Sequence, residues 1–338
     1  MKFHHTLLCL IMPLGMSAQV QYSITQLVPN DPNIGSAVAG FINEYGAVAG
    51  SFYDPDFVAL HALRYDQVGF TDLGVGPRGS FGGVSGINDH GQISAYGRGH
   101  AFRYTPGIGY EDLGTGPGFA AETGGINNSG QIAGTYTANN GADYAFRYSD
   151  GAGVVELGTL PGALGSVAFG INNAGWVTGT SGNRAFIYHD GSGMVDIGPG
   201  RGFAINDAGV VVGRDLQTHP TIYMDGLTIN LGGIGGALDI NNHNLVVGIV
   251  DVDNFTRGFV WSQEEGMQDL NNLIDPNSGW FIAAAGAVND NGQIVGWGFS
   301  PERGTVPTPF LLNPVPEPST WALLFLGAGA FALLRRRR

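Results

Sequence analysis

Short apolar runs alternate with polar turns along the chain, and the turn signature Ile-Asn-x-x-Gly recurs seven times between two such runs. Neighbouring asparagines of the signature are 34 to 48 residues apart, with a mean spacing of 41. Each copy predicts a β-hairpin whose glycine position has positive φ; Asn244, which replaces glycine in the sixth copy, suits the same conformation. The turn asparagines, which we interpret as structural, are Asn43, Asn88, Asn127, Asn172, Asn206, Asn241 and Asn289.

Two more strands follow each predicted hairpin. One is aromatic, as in residues 144–148, and the next ends in an acidic-leucine-glycine step, as in residues 112–114. Four strands in about 40 residues are typical of a propeller blade. The last unit lacks its fourth strand, which residues 21–28 can supply. The sequence therefore predicts an all-β protein, a propeller of seven four-stranded blades closed by the N-terminal strand. The alternative is an open β-solenoid, although the uneven spacing favours a propeller.

The aromatic strands also carry a family resemblance. His100, Ala101 and Phe102 give a complete His-Ala-Phe, and the repeated segments resemble the HAF repeat of extracellular bacterial proteins. This resemblance spans most of residues 19–313, which we call the body. It implies an extracellular location, but it implies little about activity.

Both ends of the chain have the composition of targeting segments. Lys2, an apolar run over 7–12 and small residues at 17–18 predict a signal peptide, residues 1–18, removed before Gln19. The apolar stretch 321–334 would span about 21 Å as a helix, which is short for a bilayer of ~30 Å, and interfacial and snorkelling residues can extend it. The arginines that follow it predict a membrane stop on the cytoplasmic side; they are Arg335, Arg336, Arg337 and Arg338.

The C-terminal segment, residues 314–338, resembles the PEP-CTERM sorting signal of Gram-negative bacteria that make exopolysaccharide. The resemblance rests on the order of three features: a motif, an apolar helix and an arginine cluster. It implies transient anchoring in the inner membrane, processing by an exosortase-type enzyme, and delivery to the cell surface or extracellular matrix, where exopolysaccharide or matrix proteins are the expected partners. The motif residues are Val315, Pro316, Glu317 and Pro318.

Composition narrows the function of the body, residues 19–313. It holds ten arginines, no lysine and 27 acidic residues, a formal charge of −17, which makes nucleic acid a poor partner. Its lack of cysteine excludes disulfides and thiolate chemistry in this region. Many glycines with few charged residues favour short strands joined by turns over disorder.

The candidate chemical groups recur in register with the repeat. His61, His100 and His219 share one repeat position, and acidic residues such as Asp72 and Asp112 share another. A ring of carboxylates can bind a cation or hydrolyse glycosides, but its repetition favours hydrogen bonding at strand ends. We therefore predict no catalytic residue, metal site or cofactor. The expected function is a non-catalytic surface or matrix protein whose propeller binds polysaccharide or protein; the alternative is a secreted glycan-active enzyme.

Overall fold

The computed structural model describes residues 21–79 and 82–315. Its 28 strands form seven four-stranded antiparallel sheets, the blades of a propeller. Among the described residues the helical content is a single 3₁₀ turn, Leu270–Asn272. Residues 22–313 form one compact unit. The predicted seven-bladed fold is confirmed.

Each of the first six blades takes four consecutive strands. Blade 1 contains β2 (Ala37–Ile42), β3 (Val48–Tyr53), β4 (Leu60–Asp66) and β5 (Gly69–Gly74). Blade 2 contains β6 (Gly83–Ile87), β7 (Ile93–Gly97), β8 (His100–Thr105) and β9 (Gly109–Gly114). Blade 3 contains β10 (Ala120–Ile126), β11 (Ile132–Thr137), β12 (Asp143–Ser149) and β13 (Gly153–Gly158).

The next three blades repeat this order. Blade 4 contains β14 (Ser166–Ile171), β15 (Val177–Ser181), β16 (Arg184–His189) and β17 (Gly193–Pro199). Blade 5 contains β18 (Arg201–Ile205), β19 (Val211–Arg214), β20 (Pro220–Met224) and β21 (Leu227–Asn230). Blade 6 contains β22 (Ile234–Ile240), β23 (Val246–Val252), β24 (Phe255–Ser262) and β25 (Gly266–Asp269).

Blade 7 combines both ends of the body. It contains β26 (Phe281–Val288), β27 (Ile294–Phe299) and β28 (Thr308–Val315), and β1 (Gln21–Gln26) is its outermost strand. The main-chain N–H of Leu27, directly after β1, donates to the carbonyl oxygen of Pro309 at 3.0 Å. The N-terminal strand therefore closes the ring as the sequence predicts, and the open solenoid is excluded.

The blades pack through the aromatic third strands. Five phenylalanines at one repeat position are at most 1% exposed, and they are Phe102, Phe146, Phe186, Phe259 and Phe310. In register with most of them lies a second-strand glycine, such as Gly134 opposite Phe146. A Cβ atom at Gly134 would lie 2.4 Å from the ring of Phe146, so the glycine makes room for the aromatic core.

Strand direction gives the ring two distinct faces. Because the strands of a blade alternate in direction, one face carries the first-to-second and third-to-fourth turns, and we call it the turn face. The opposite face, which we call the crossover face, carries the second-to-third hairpins and the connections between blades. The seven Ile-Asn-x-x-Gly turns lie on the turn face. Their fifth residues have φ between 71° and 82° where they are glycine, and Asn244 has φ 61°, which confirms the predicted left-handed turn.

Candidate functional site

Each turn asparagine is buried and uses both ends of its carboxamide. In the third copy, Asn127 Oδ1 accepts the main-chain N–H groups of Ser129 at 3.1 Å and Gln131 at 3.0 Å. Its Nδ2 donates to the Gln131 side chain at 2.9 Å and to the carbonyl oxygen of Asn172, in the next blade, at 3.0 Å. The residue therefore fixes its own turn and also joins two blades.

The same inter-blade bond repeats around the whole ring. Each asparagine Nδ2 donates to the main-chain oxygen of the next turn asparagine at 2.9–3.1 Å, and Asn289 donates back to Asn43. The seven residues are between 1% and 6% exposed. The structure thus brings all seven predicted turn residues together in one closed hydrogen-bonded circle, which the turn pattern alone did not indicate.

A second circle runs beside the first on the turn face. The residue after each asparagine donates its main-chain N–H to the side chain of the equivalent residue in the next blade, at 2.7–3.0 Å. Its members are Glu44, Asp89, Asn128, Asn173, Asp207, Asn242 and Asp290. The two circles surround a cavity of about 170 Å³ at this end of the central channel.

The four carboxylates of the second circle are engaged in bonds within the ring. Asn128 Nδ2 donates to Asp89 at 2.6 Å, and comparable amide bonds reach the other two aspartates. Burial raises the pKa of the Glu44 carboxyl; the hydrogen bond from the Asp290 main-chain N–H opposes this rise, and the negative charges of Asp290 and Asp89 add to it. In residues 21–79 and 82–315, no group of three or more histidine, cysteine or acidic side chains is arranged to hold a metal ion. The carboxylates of the second circle therefore connect neighbouring blades to one another.

The repeated acidic residues at the ends of the fourth strands make local bonds. Asp72 Oδ1 accepts the Gly74 N–H at 2.7 Å and lies 3.0 Å from His61 Nδ1. Asp112 likewise accepts the Gly114 N–H at 2.9 Å and pairs with His100 at 2.8 Å. The geometry supports the interpretation of these groups as strand-end hydrogen bonding. His219 differs, because it pairs with Asp215 of its own hairpin at 2.8 Å.

Asp239 is an acidic residue that lies outside the repeat pattern and that the sequence reasoning missed. It precedes the isoleucine of the sixth turn signature, a position occupied elsewhere by Phe41, Gly86, Gly125, Gly170, Ala204 and Ala287. Its Oδ2 accepts the main-chain N–H of Val288, in blade 7, at 2.9 Å. Burial raises its pKa to about 7. Aligning the seven copies column by column would have revealed it.

The crossover face carries two open clefts over blades 2 to 5. The first has a volume of about 600 Å³ and is lined by Tyr96, Arg98, Glu122 and Phe169, among others. Burial, followed by the nearby Glu122 carboxylate, raises the pKa of Tyr96. The second cleft has a volume of about 890 Å³, and its lining includes Leu164, Arg184 and Arg201. Charged, amide and aromatic side chains are therefore available to a ligand on this face.

The predicted signal peptide and most of the sorting segment lie outside the described residues. The undescribed part of the sorting segment is residues 316–338, which contain the remaining motif residues, the apolar stretch and the four arginines. Val315 is described; it ends β28 and is 44% exposed. The described part of the chain contains no helix that is both long and apolar enough to cross a membrane.

Comparison with known families identifies the C-terminal segment. Residues 314–338 match the model of the PEP-CTERM protein-sorting motif. The match implies an exported protein that is sorted through the membrane and processed by an exosortase-type enzyme. No curated protein matches the chain.

Solved structures resemble the chain in fold. The β-propeller domain of the Trilobed protease from Pyrococcus furiosus, described as having an open velcro topology, aligns with a TM-score of 0.54 at 10% identity, covering 83% of this chain and 98% of that domain. A putative gluconolactonase aligns with a TM-score of 0.47 at 10% identity, covering 88% and 94%. The Aleuria aurantia lectin, in complex with a fucosylated sugar, aligns with a TM-score of 0.40 at 13% identity, covering 69% and 94%. At 10% identity the likeness to the Trilobed protease domain supports the propeller fold alone.

Proposed function

We propose that this chain is an exported, non-catalytic surface or matrix protein whose propeller binds polysaccharide through its crossover face. The observation that carries the proposal is the difference between the two faces. On the turn face, the carboxylates of the second circle accept hydrogen bonds from neighbouring blades. On the crossover face, Arg98, Arg201 and Glu122 line clefts and form no ion pair with any described residue, whereas Arg184 of the larger cleft pairs with Asp196.

The shape and chemistry of the crossover face suit a glycan. The two clefts are open, and their linings combine hydroxyl, amide and charged groups with apolar surface. Sugar polymers present many hydroxyl groups and apolar ring faces, so such mixed surfaces can hold them without a deep pocket. The sorting motif supports the same proposal, because it directs the protein outside the cytoplasm.

A glycan array with residues 19–315, which include every strand of the closed ring, tests the proposal. Leu164 lines the larger cleft and is 90% exposed, whereas Ile108, on the turn face, is 85% exposed. We expect Leu164→Glu to weaken glycan binding and the matched Ile108→Glu to leave it unchanged. Failure of the unaltered body to bind any glycan, or equal effects of the two variants, would contradict the proposal.

A further inference from the structure

Two arginines on the crossover face of blade 5 are direct cross-strand neighbours. Arg201 begins β18 and Arg214 ends β19, and the two residues pair in the register of these strands. Side chains in such pairs lie on the same side of the sheet, with Cβ atoms about 5 Å apart, and like charges there are destabilising. No carboxylate of the described residues forms an ion pair with either arginine, in contrast to most other arginines of the body.

Most arginines of the body have a carboxylate partner. Six of them form ion pairs, and they are Arg64, Arg78, Arg103, Arg147, Arg184 and Arg257. Arg303 donates instead to the carbonyl oxygens of Ile34 and Gly35. Arg201 and Arg214 form no ion pair with any described residue, although acidic residues greatly outnumber basic ones in the body. With so many acidic residues in the body, two adjacent arginines that both lack a carboxylate partner are unexpected.

The surroundings of the pair hold it in place without neutralising it. The Arg214 guanidinium lies 5.8 Å from the centroid of the Phe203 ring, and Phe203 packs edge-on against Phe169 at 5.4 Å. The next acidic residue in the chain, Asp215, is occupied by His219, 2.8 Å from its carboxylate, and by main-chain N–H groups. A guanidinium stacked on an aromatic ring keeps its N–H donors free to bind an anion.

Arg201 also lines the larger cleft. Asn183 and Arg184 line the same cleft, so an amide group and a second guanidinium, which pairs with Asp196, lie near Arg201. The main-chain N–H of Gly200, directly before Arg201, donates to the carbonyl oxygen of Asn183 at 2.9 Å, which fixes the arginine beside blade 4. Guanidinium groups bind carboxylates in a bidentate manner, and the amide group of Asn183 suits sugar hydroxyls.

We infer that Arg201 and Arg214 form the anion subsite of the crossover face, and that the ligand is a carboxylate-bearing polysaccharide, one that contains uronic acid residues. This inference rests on the proposed function and names the chemical class of its ligand. The favourable interaction with a sugar carboxylate replaces the repulsion between the two arginines. The negative charge of the rest of the body disfavours long polyanions, so we expect the site to bind short acidic segments of such a polymer.

The experiment is a titration of residues 19–315 with oligogalacturonate, with its neutral methyl ester and with poly-L-glutamate. We expect the acidic sugar to bind and the ester and the peptide to bind at least about tenfold more weakly. Arg201→Gln/Arg214→Gln should weaken binding of the acidic sugar by the same factor. Arg64→Gln, which removes an arginine charge on the turn face, is the control and should change the Kd less than about twofold.

Thermal unfolding separates a binding role from a structural one. Because Arg201→Gln removes a like-charge neighbour, we expect its Tm to equal or exceed that of the unaltered body, whereas a structural arginine would lower the Tm when replaced. Binding that survives the double substitution would overturn the arginine subsite and leave the proposed glycan binding standing. Equal binding of the ester or of poly-L-glutamate would overturn the carboxylate sugar as ligand. Absence of all glycan binding would overturn the proposed function itself.

Discussion

The side chain of Asn289 in the last blade donates to the main-chain oxygen of Asn43 in the first blade, with an Nδ2–O distance of 3.1 Å. This bond is one of seven equivalent bonds, and it connects residues 246 positions apart in the chain. It completes a circle that passes once through every blade. The asparagines therefore stabilise the ring as a whole, in addition to their individual turns.

Replacing one member of the circle should be costly. Asn127→Ala removes two inter-residue donations and two acceptances in a buried position, so main-chain groups of two blades lose their partners. We expect a loss of about 2–4 kcal/mol in the free energy of unfolding, measured by denaturant titration. Asn183→Ala, at an exposed hairpin, is the control and should change it by less than about 0.5 kcal/mol. Equal effects would contradict a special role for the circle.

Closure by the N-terminal strand gives a second expectation. Residues of this segment reach the core, with Tyr22 6%, Leu27 1% and Val28 3% exposed. Starting the protein at Gly35 removes this burial and exposes the edge of β28, so we expect a loss of roughly 5 kcal/mol, lower solubility and a broad transition. Comparison of residues 35–315 with residues 19–315 by thermal unfolding tests this. Similar sharp transitions and yields would show that closure contributes little.

Asp239 makes stability depend on pH in an identifiable direction. Its folded-state pKa of about 7 lies above its ordinary value, so the folded protein holds this proton more tightly than the unfolded chain. The group therefore favours the folded state at low pH, and its contribution is lost as the pH rises from about 4 to about 7. Asp239→Asn should gain about 1–3 kcal/mol over the unaltered protein at pH 8, and less at pH 4.5.

Denaturant unfolding at the two pH values measures this difference. Asp253→Asn, an exposed substitution in a hairpin of the same blade, is the matched control and should change the free energy of unfolding by less than about 0.5 kcal/mol. A difference between Asp239→Asn and the unaltered protein that is constant with pH would contradict the assignment.

The blades were predictable because one repeated pattern fixes each of them. The turn asparagine marks the first hairpin, and an aromatic residue such as Phe146 marks the third strand, so the strand order followed from the repeat. Ring closure followed from the fourth strand that the last unit lacks and that residues 21–28 supply. The bonds between blades did not follow, because a turn motif does not reveal which carbonyl oxygen its side chain reaches in a neighbouring unit. The pairing of Arg201 with Arg214 was hidden for a similar reason, since it depends on strand register in blade 5.

We expect the sorting motif to determine where the protein is delivered in the native host. Replacing Pro316, Glu317 and Pro318 with alanine should leave an unprocessed, membrane-held precursor in the native host, because the processing enzyme no longer recognises the segment. Fractionation and immunoblotting with the unaltered protein as control measure this outcome. If the variant reaches the medium at its normal size, the sorting motif does not act as the match implies.

One titration followed by a size measurement shows both whether the propeller binds polysaccharide and whether it leaves the polymer uncleaved. Polysaccharide secreted by the native host is titrated calorimetrically with residues 19–315, and its size distribution is then measured after prolonged incubation. We expect saturable binding, weakened by Leu164→Glu and retained by Ile108→Glu, with no change in polymer length. Absence of binding, or shortening of the polymer in proportion to the protein added, would contradict the account.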